Sequence, residues 1–270
     1  MSAIIEAENI SFAYYDKTIL KNLSFKVTQG SFLAVAGPNG AGKTTLLNLL
    51  CGLLRPQNGY ISINGTNVKS YAVRELAQKV AVVRQEFVPV FDFTVAEAVS
   101  MARTPYLGIL GFEGPADKKY VSEALAMTDT SQFASRPLAN LSAGERQCVF
   151  IARAIAQDTA ILLLDEPTSF LDLKHQVGIY DLLKRLQREY GKTIVAVTHD
   201  INLTIQYCDE TLLIGADNDY LYGRTSDIFS SQQIEKTFGV RTFEGTVGGQ
   251  RFFLPIGKFA KANQITNGKS

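Results

Sequence analysis

Gly37-Pro38-Asn39-Gly40-Ala41-Gly42-Lys43-Thr44-Thr45 fits the pattern G-x-x-x-x-G-K-[ST], and its surroundings give the match its meaning. The apolar run at residues 32–36 stops at Gly37 and predicts a strand, while residues 43–50 carry an apolar helical pattern. A glycine-rich turn between strand and helix can aim backbone N–H groups at phosphate oxygens, and the helix N-terminus adds a favourable field for anions. Lys43 is placed to bridge the β- and γ-phosphates and Thr44 to hold Mg²⁺ through its hydroxyl. The stretch therefore predicts a site for a nucleoside triphosphate and its metal. The bland alternative is a glycine-rich turn.

Residues 4–10, 23–27 and 59–63 read as strands, the last meeting Asn64-Gly65, a strong hairpin signal. Residues 80–83 predict another buried strand. From about 86 to 158 the periods become helical, at 95–102, 118–127 and 143–156, with Pro and Gly between them. Strand and helix then alternate again: strands at 161–164, 193–197 and 211–214, helices at 176–190 and 201–207. The expected fold class is α/β. It comprises a phosphate-loop ATPase core with an N-terminal antiparallel β subdomain and an inserted α-helical subdomain. One domain is expected over residues 1–257, with the core at 1–85 and 159–257 and the helical subdomain at 86–158; residues 258–270 read as a mobile polar tail.

Ile161-Leu162-Leu163-Leu164-Asp165-Glu166 is an apolar run ending in two acids, as a central parallel strand opening on a ligand crevice would show. Asp165 is the candidate metal holder and Glu166 the candidate general base for an attacking water. A helix cap is the competing explanation.

Composition limits the alternatives. The chain has 270 residues, 46% hydrophobic and 20% charged, and a formal net charge of +1, with a pI near 7.6 and a mean hydropathy of +0.03. Such a charge offers no strong basic field for nucleic acid, so no nucleic-acid partner is expected. Cys51, Cys148 and Cys208 lack metal-type spacing and sit among apolar neighbours, which predicts buried, reduced thiols. The apolar run at 46–54 contains Asn48 and Gly52 and is far shorter than the roughly 20 residues that span a bilayer. Glu6 and Glu8 stand where a secretory leader would need a cationic start, giving a cytoplasmic expectation.

Leu141-Ser142-Ala143-Gly144-Glu145, opening the helix at 143–156 upstream of the Asp165-Glu166 strand, resembles the signature motif of ABC (ATP-binding cassette) ATPases. A plain capping box, Ser142 with Glu145, fits the same residues. The resemblance runs to about residue 217. Gln85 resembles the Q-loop glutamine, which can reach Mg²⁺ or the lytic water; Ser169-Phe170-Leu171-Asp172 resembles the D-loop; His199 resembles the switch histidine; and Tyr14 resembles the A-loop aromatic that stacks on adenine, with Tyr15 as its rival. Ala143 stands where glycine is usual, Glu145 where glutamine is frequent, and Arg84, before Gln85, also departs from the common pattern; an effect of Arg84 on surface charge near a membrane partner is one reading.

What the resemblance implies is an ATPase with Mg²⁺, its catalytic set Glu166, His199, Gln85 and Lys43 and its metal set Thr44, Gln85 and Asp165. Such subunits pair head to tail, with a second copy or a paralogous ATPase subunit. Ser142, Ala143, Gly144, Glu145 and Asp172 of one subunit then face the ATP of the other. The pair drives a polytopic permease at the cytoplasmic face of the cell membrane and, indirectly, a substrate-binding protein. Phe91-Asp92-Phe93-Thr94-Val95 and Arg103-Thr104-Pro105-Tyr106-Leu107-Gly108 resemble importer ATPases for iron-siderophores, haem and vitamin B12. A zinc, manganese or export system remains an alternative reading, as does a soluble non-transport ABC ATPase.

Overall fold

The computed structural model of the chain describes residues 2–84, 92–108, 112–215 and 219–258. Gln85 and Phe91 lie outside the described residues, as does the predicted tail apart from Lys258. The N-terminal strands β1 (Ala3–Tyr14) and β2 (Lys17–Thr28) form a long antiparallel hairpin, Ala3 opposite Thr28 and Tyr14 opposite Lys17. Both outrun the predicted segments 4–10 and 23–27, because register shifts between β1 and β2 break the simple alternation of polar and apolar residues. Next come β3 (Phe32–Ala36), α1 (Lys43–Leu50), β4 (Asn58–Ile63) and β5 (Thr66–Asn67). Asn64 and Gly65 make the β4–β5 turn at φ 51 and 74, the positive values a tight hairpin requires.

Then follow α2 (Val73–Ala77), β6 (Val80–Val83), α3 (Val95–Ser100), α4 (Pro115–Met127), α5 (Ala143–Ala156) and β7 (Ile161–Asp165). The predicted helix 95–102 stops as α-helix at Ser100 and continues as a 3₁₀ segment, Met101–Tyr106, containing Pro105, which has no N–H to donate. The chain goes on through α6 (Leu173–Tyr190), β8 (Thr193–Thr198), α7 (Ile201–Tyr207), β9 (Glu210–Ile214), β10 (Tyr220–Arg224), α8 (Thr225–Ile228), α9 (Ser231–Phe238), β11 (Thr242–Val247) and β12 (Gln250–Pro255). Asp172 starts α6 three residues ahead of the predicted 176 by accepting the His175 N–H at 2.9 Å.

A four-stranded sheet runs β2-β1-β4-β5, and a six-stranded sheet runs β10-β9-β3-β8-β7-β6, parallel except for the edge pair β9–β10. Side chains alternate across the larger sheet. Leu33 and Val35 join a core with Ile5, Val27 and Leu46, whereas Phe32 and Ala34 join one with Ile151, Tyr180 and Leu183. Cover on both faces explains why these strands read as unbroken apolar runs. Helix α5 has two buried faces: Ile151 and Ala154 meet the sheet layer, while Val149 and Ala152 pack with Val95 and Val121 of α3 and α4.

One expectation needs correction. Among the cysteines only Cys208 is buried; Cys51 and Cys148 are half-buried, because each sits where a helix face meets partial solvent, and all three are free. Arg84 is half-buried. Its guanidinium turns inward to donate to Asn48 Oδ1 of α1 and to reach Cys51 Sγ.

Candidate active site

The three adjacent parallel strands β3, β8 and β7 end at one edge of the sheet, and each delivers one part of the site, the usual place for a ligand in an open α/β sheet. After β3 comes the phosphate loop. Its first residue, Gly37, passes so close to β9 that a Cβ there would lie 2.2 Å from the Ile214 carbonyl oxygen. Gly42 caps α1 at φ 95, where a Cβ would strike Ile19 at 2.7 Å. Ala41 packs on the core beneath the loop.

Lys43 is almost fully buried and donates to the carbonyls of Gly37 at 2.8 Å and Pro38 at 2.9 Å. Burial lowers its pKa, against the pull of Glu166 and Asp165. Its ammonium is thus spanned by the loop that needs a cation. Thr44 Oγ1 donates to Asp165 Oδ1 at 3.1 Å, joining the first turn of α1 to the end of β7. Asp165 is buried, which raises its carboxyl pKa; the Thr44 bond and the charges of Arg84 and Lys43 oppose that rise.

Glu166, the residue after β7, has φ 46 and anchors its N–H to the Val197 carbonyl at 3.0 Å. A non-glycine residue in that region stores backbone strain, which here turns the carboxylate out of the strand line. Ser169 Oγ donates to Glu166 Oε2 at 2.6 Å, and His199 Nδ1, one residue beyond β8, stands 3.5 Å from the same oxygen. The Glu166 side chain is 15% exposed and that of His199 59%, so the acid is enclosed while the imidazole faces open space.

That space is a cleft of about 860 Å³. Pro38, Asn39, Gly40, Gly42, Lys43, Thr44, Thr45, Glu166, Ser169, Phe170 and His199 line it, with Ile19 and Phe238 as apolar walls. A second groove, about 540 Å³, lies under β6 among Leu53, Tyr71, Leu76 and Arg84, and holds none of the residues expected to do chemistry.

The described residues lining the cleft do not include Tyr14, Asp172 or the Ser142–Glu145 stretch. Tyr14 sits edge-on to Phe12 at 4.9 Å and is 43% exposed; Tyr15 is fully exposed. Ser142 caps α5: its Oγ accepts the Glu145 N–H at 3.3 Å, and Glu145 Oε2 accepts the Ser142 N–H at 2.8 Å. That second bond is the main cause of the lowered Glu145 pKa. The capping box is real, and it leaves the motif at the start of a helix. Asp172 caps α6, and its Oδ1 also pairs with His175 Nδ1 at 2.8 Å. The imidazole of His175 lies against Gly144, whose absent Cβ would be 2.7 Å from its Cδ2. The structure thus makes two clusters, one around the phosphate loop and one joining Gly144 to Asp172.

Sequence reasoning missed Ser169 as a partner of Glu166, together with Ile19, His175 and Phe238. A serine three residues after an acid that leaves a strand is a usable signal for the first. The other three come from distant elements and carry no local mark.

Residues 20–169 match the ABC transporter family. The chain is 33% identical over 260 residues to the ferric enterobactin transport ATP-binding protein of Escherichia coli K12, covering 96% of each. A chain from an inward-facing metal-chelate type ABC transporter superposes with a TM-score of 0.85 and 32% identity, over 96% of this chain and 99% of that one. The dimeric structure of a bacterial ABC transporter cassette superposes with a TM-score of 0.72 and 31% identity, over 82% of this chain and 98% of that one. The phosphate loop, the acids at the end of β7 and the histidine after β8 therefore have a common explanation: the chain belongs to the ABC transporter family and is an ATP-binding, ATP-hydrolysing subunit of it.

Proposed function

We propose that the chain works as a head-to-tail pair, with a second copy or a paralogous ATPase subunit, and that the pair energises a polytopic importer permease for a metal chelate, an iron-siderophore, haem or cobalamin, delivered by a substrate-binding protein. The work is done at the cytoplasmic face of the membrane. One observation carries the pairing: the exposed Ser142 at the start of α5 and the cluster that joins the buried Gly144 to Asp172 through His175 are not among the residues that line the cleft with Lys43 and Glu166. A helix N-terminus that can meet an anion but does not line its own nucleotide cleft has a use if it faces the loop of a partner. The dimeric cassette supports this arrangement. No helix among the described residues is long and apolar enough to cross a membrane.

In this reading Lys43 exchanges its carbonyl partners for the β- and γ-phosphate oxygens, and the N–H groups of the loop hold the remainder. Thr44 and Asp165 would hold Mg²⁺: a hydroxyl and a buried carboxylate 3.1 Å apart suit a hard cation that takes oxygen ligands. The metal supplies neutralisation of phosphate charge. Glu166 accepts the proton of the attacking water, with His199 beside it, and Gln85 completes the set. Tyr14 stacks on adenine. The metal-chelate transporter and the ferric enterobactin protein support the cargo class.

Purifying the tagged chain from gently solubilised native membranes tests the whole reading. A polytopic permease of the metal-chelate type, with a binding protein in the same preparation, is expected. Recovery without any membrane protein overturns the transport role and leaves the ATP chemistry standing.

A further inference from the structure

The segment after β9 has no part in the motifs that mark the ATPase, yet it is packed against two of them. Ile228, Phe229, Ile234 and Phe253 share a buried cluster with Ala36 and Leu213, and Ile201, Ile205 and Phe238 close over it. Ala36 is the residue before the phosphate loop, and Ile201 opens the helix that follows His199. One apolar cluster therefore supports the roots of both active-site loops.

A polar latch reinforces it. Asn202, in the first turn of α7, donates from Nδ2 to the Phe253 carbonyl at 3.1 Å and accepts the Phe253 N–H on Oδ1 at 2.8 Å. The carboxamide pairs with β12 as a neighbouring strand would, which needs a donor and an acceptor side by side. The backbone at His199 is held on both sides. It is the one residue between Thr198, the last of β8, and Asp200, whose carboxylate caps α7 by accepting the Leu203 N–H at 2.8 Å; Asp200 N–H also donates to Thr198 Oγ1 at 3.0 Å. Where α7 lies thus decides from which point the backbone presents the imidazole to Glu166. Between α7 and the β11–β12 hairpin a cavity of about 350 Å³ runs under His199 and beside Asn202 and Phe253, leaving room for α7 to shift once the latch is open. Phe238 lines both this cavity and the nucleotide cleft.

We propose that Asn202 is a positioning residue of the ATPase: by latching α7 to the C-terminal hairpin it holds His199 beside Glu166, so that the segment after β9 is a working part of the nucleotide site. The inference rests on the proposed role of His199 in turnover. Displacing a reacting group by about 1 Å can cost up to roughly 10²-fold in rate, whereas the phosphate loop that binds ATP is left in place. Loss of the latch should therefore act on kcat and spare KM.

The test uses Asn202→Ala. ATP turnover of the complex with its permease is expected to fall about ten-fold in kcat with KM for ATP within two-fold of the unaltered complex. The second readout is the proton spectrum of the full chain's histidine rings. The chain has only two histidines, His175 and His199, so each ring is identified by its own substitution. The His199 signals are expected to move and those of His175 to stay. If kcat holds, or the His199 signals hold, or kcat, KM and both rings change together as in general loosening, the proposal is overturned. Should Asn202→Ala fail to fold, Asn202→Asp keeps an acceptor for the Phe253 N–H but sets a carboxylate oxygen against the Phe253 carbonyl, and is expected to give the same readouts. Undiminished turnover in His199→Ala would instead remove the role of His199 itself, whatever Asn202 does.

Discussion

Ser169 Oγ donates to Glu166 Oε2 at 2.6 Å, so the acid beside the phosphate loop is held by the turn that leads into α6. With His199 Nδ1 3.5 Å from the same oxygen, the carboxylate is steered from two sides toward the cleft. Glu166→Gln keeps the size and the Ser169 contact but cannot accept the proton of water. ATP binding is expected to remain within a few-fold of the unaltered chain, and phosphate release to fall by at least about 10²-fold. The ATP-bound pair should then persist on size-exclusion chromatography. Near-normal phosphate release would reject Glu166 as the base.

Asp165 gives a prediction in pH. Its burial raises its pKa, so the folded chain holds this proton more tightly than the unfolded chain. The associated stability is fully present below the unfolded value of about 3.9 and is lost as pH rises through the higher folded value. At neutral pH the buried charge is a cost to the ligand-free protein. Asp165→Asn removes that charge and keeps an acceptor for Thr44 Oγ1. Its thermal midpoint at pH 7 is expected to exceed that of the unaltered chain, with the gap closing below about pH 4, while magnesium-dependent turnover is lost. A lower midpoint at pH 7 would contradict the argument.

The parts legible in the sequence were those whose reasons are local. β3, α1, α5 and α7 have the predicted bounds, because apolar periodicity and turn residues mark both ends of each. The Gly37-to-Thr45 loop and the acids at 165 and 166 were visible for the same reason. What escaped notice depends on tertiary pairing: the Asn202 latch reaches a backbone group 51 residues away, and Ile19 meets Gly42 only because the β1–β2 hairpin folds over the loop. The Arg84 contact escaped notice likewise, because nothing in its neighbours reveals that Asn48 of α1 lies within reach.

Gly144 and His175 should behave as a pair. A methyl group at Gly144 would come within 2.7 Å of Cδ2 and 3.0 Å of Cγ of an imidazole whose Nδ1 is tied to Asp172. Gly144→Ala is expected to destabilise the chain by at most about 1 kcal/mol, because the imidazole is 41% exposed and can turn away at the expense of its Asp172 contact. Adding His175→Ala should restore most of that loss by vacating the space. Urea unfolding of the single and double variants decides it: additive losses would mean the two residues do not share the contact.

Arg103, which drew notice in a stretch resembling importer ATPases, has a structural task that the sequence did not reveal. Its guanidinium lies between the rings of Tyr106 at 4.1 Å and Tyr120 at 4.2 Å, donates from Nε to Asp117 Oδ1 at 2.9 Å, and donates from Nη1 to the Ala156 carbonyl at 2.9 Å. It thereby ties the 3₁₀ segment, the first turn of α4 and the end of α5 into one unit. The Gly114 N–H, and then Arg103, hold the Asp117 carboxyl below its ordinary range. Arg103→Met keeps the packing volume but removes the donors to Asp117 and Ala156; Asp117 is half-buried and still accepts the Gly114 N–H at 2.9 Å, so the loss is expected to be about 1–3 kcal/mol. Asp117→Asn in addition should recover part of that loss. A depressed carboxyl contributes stability above its unfolded value of about 3.9 and loses it as pH falls through the folded value. The gap between Arg103→Met and the unaltered chain should therefore narrow on acidification below about pH 4, as thermal unfolding at stepped pH would show; a gap that stays constant would place the effect in the lost ring stacking instead of the ion pair.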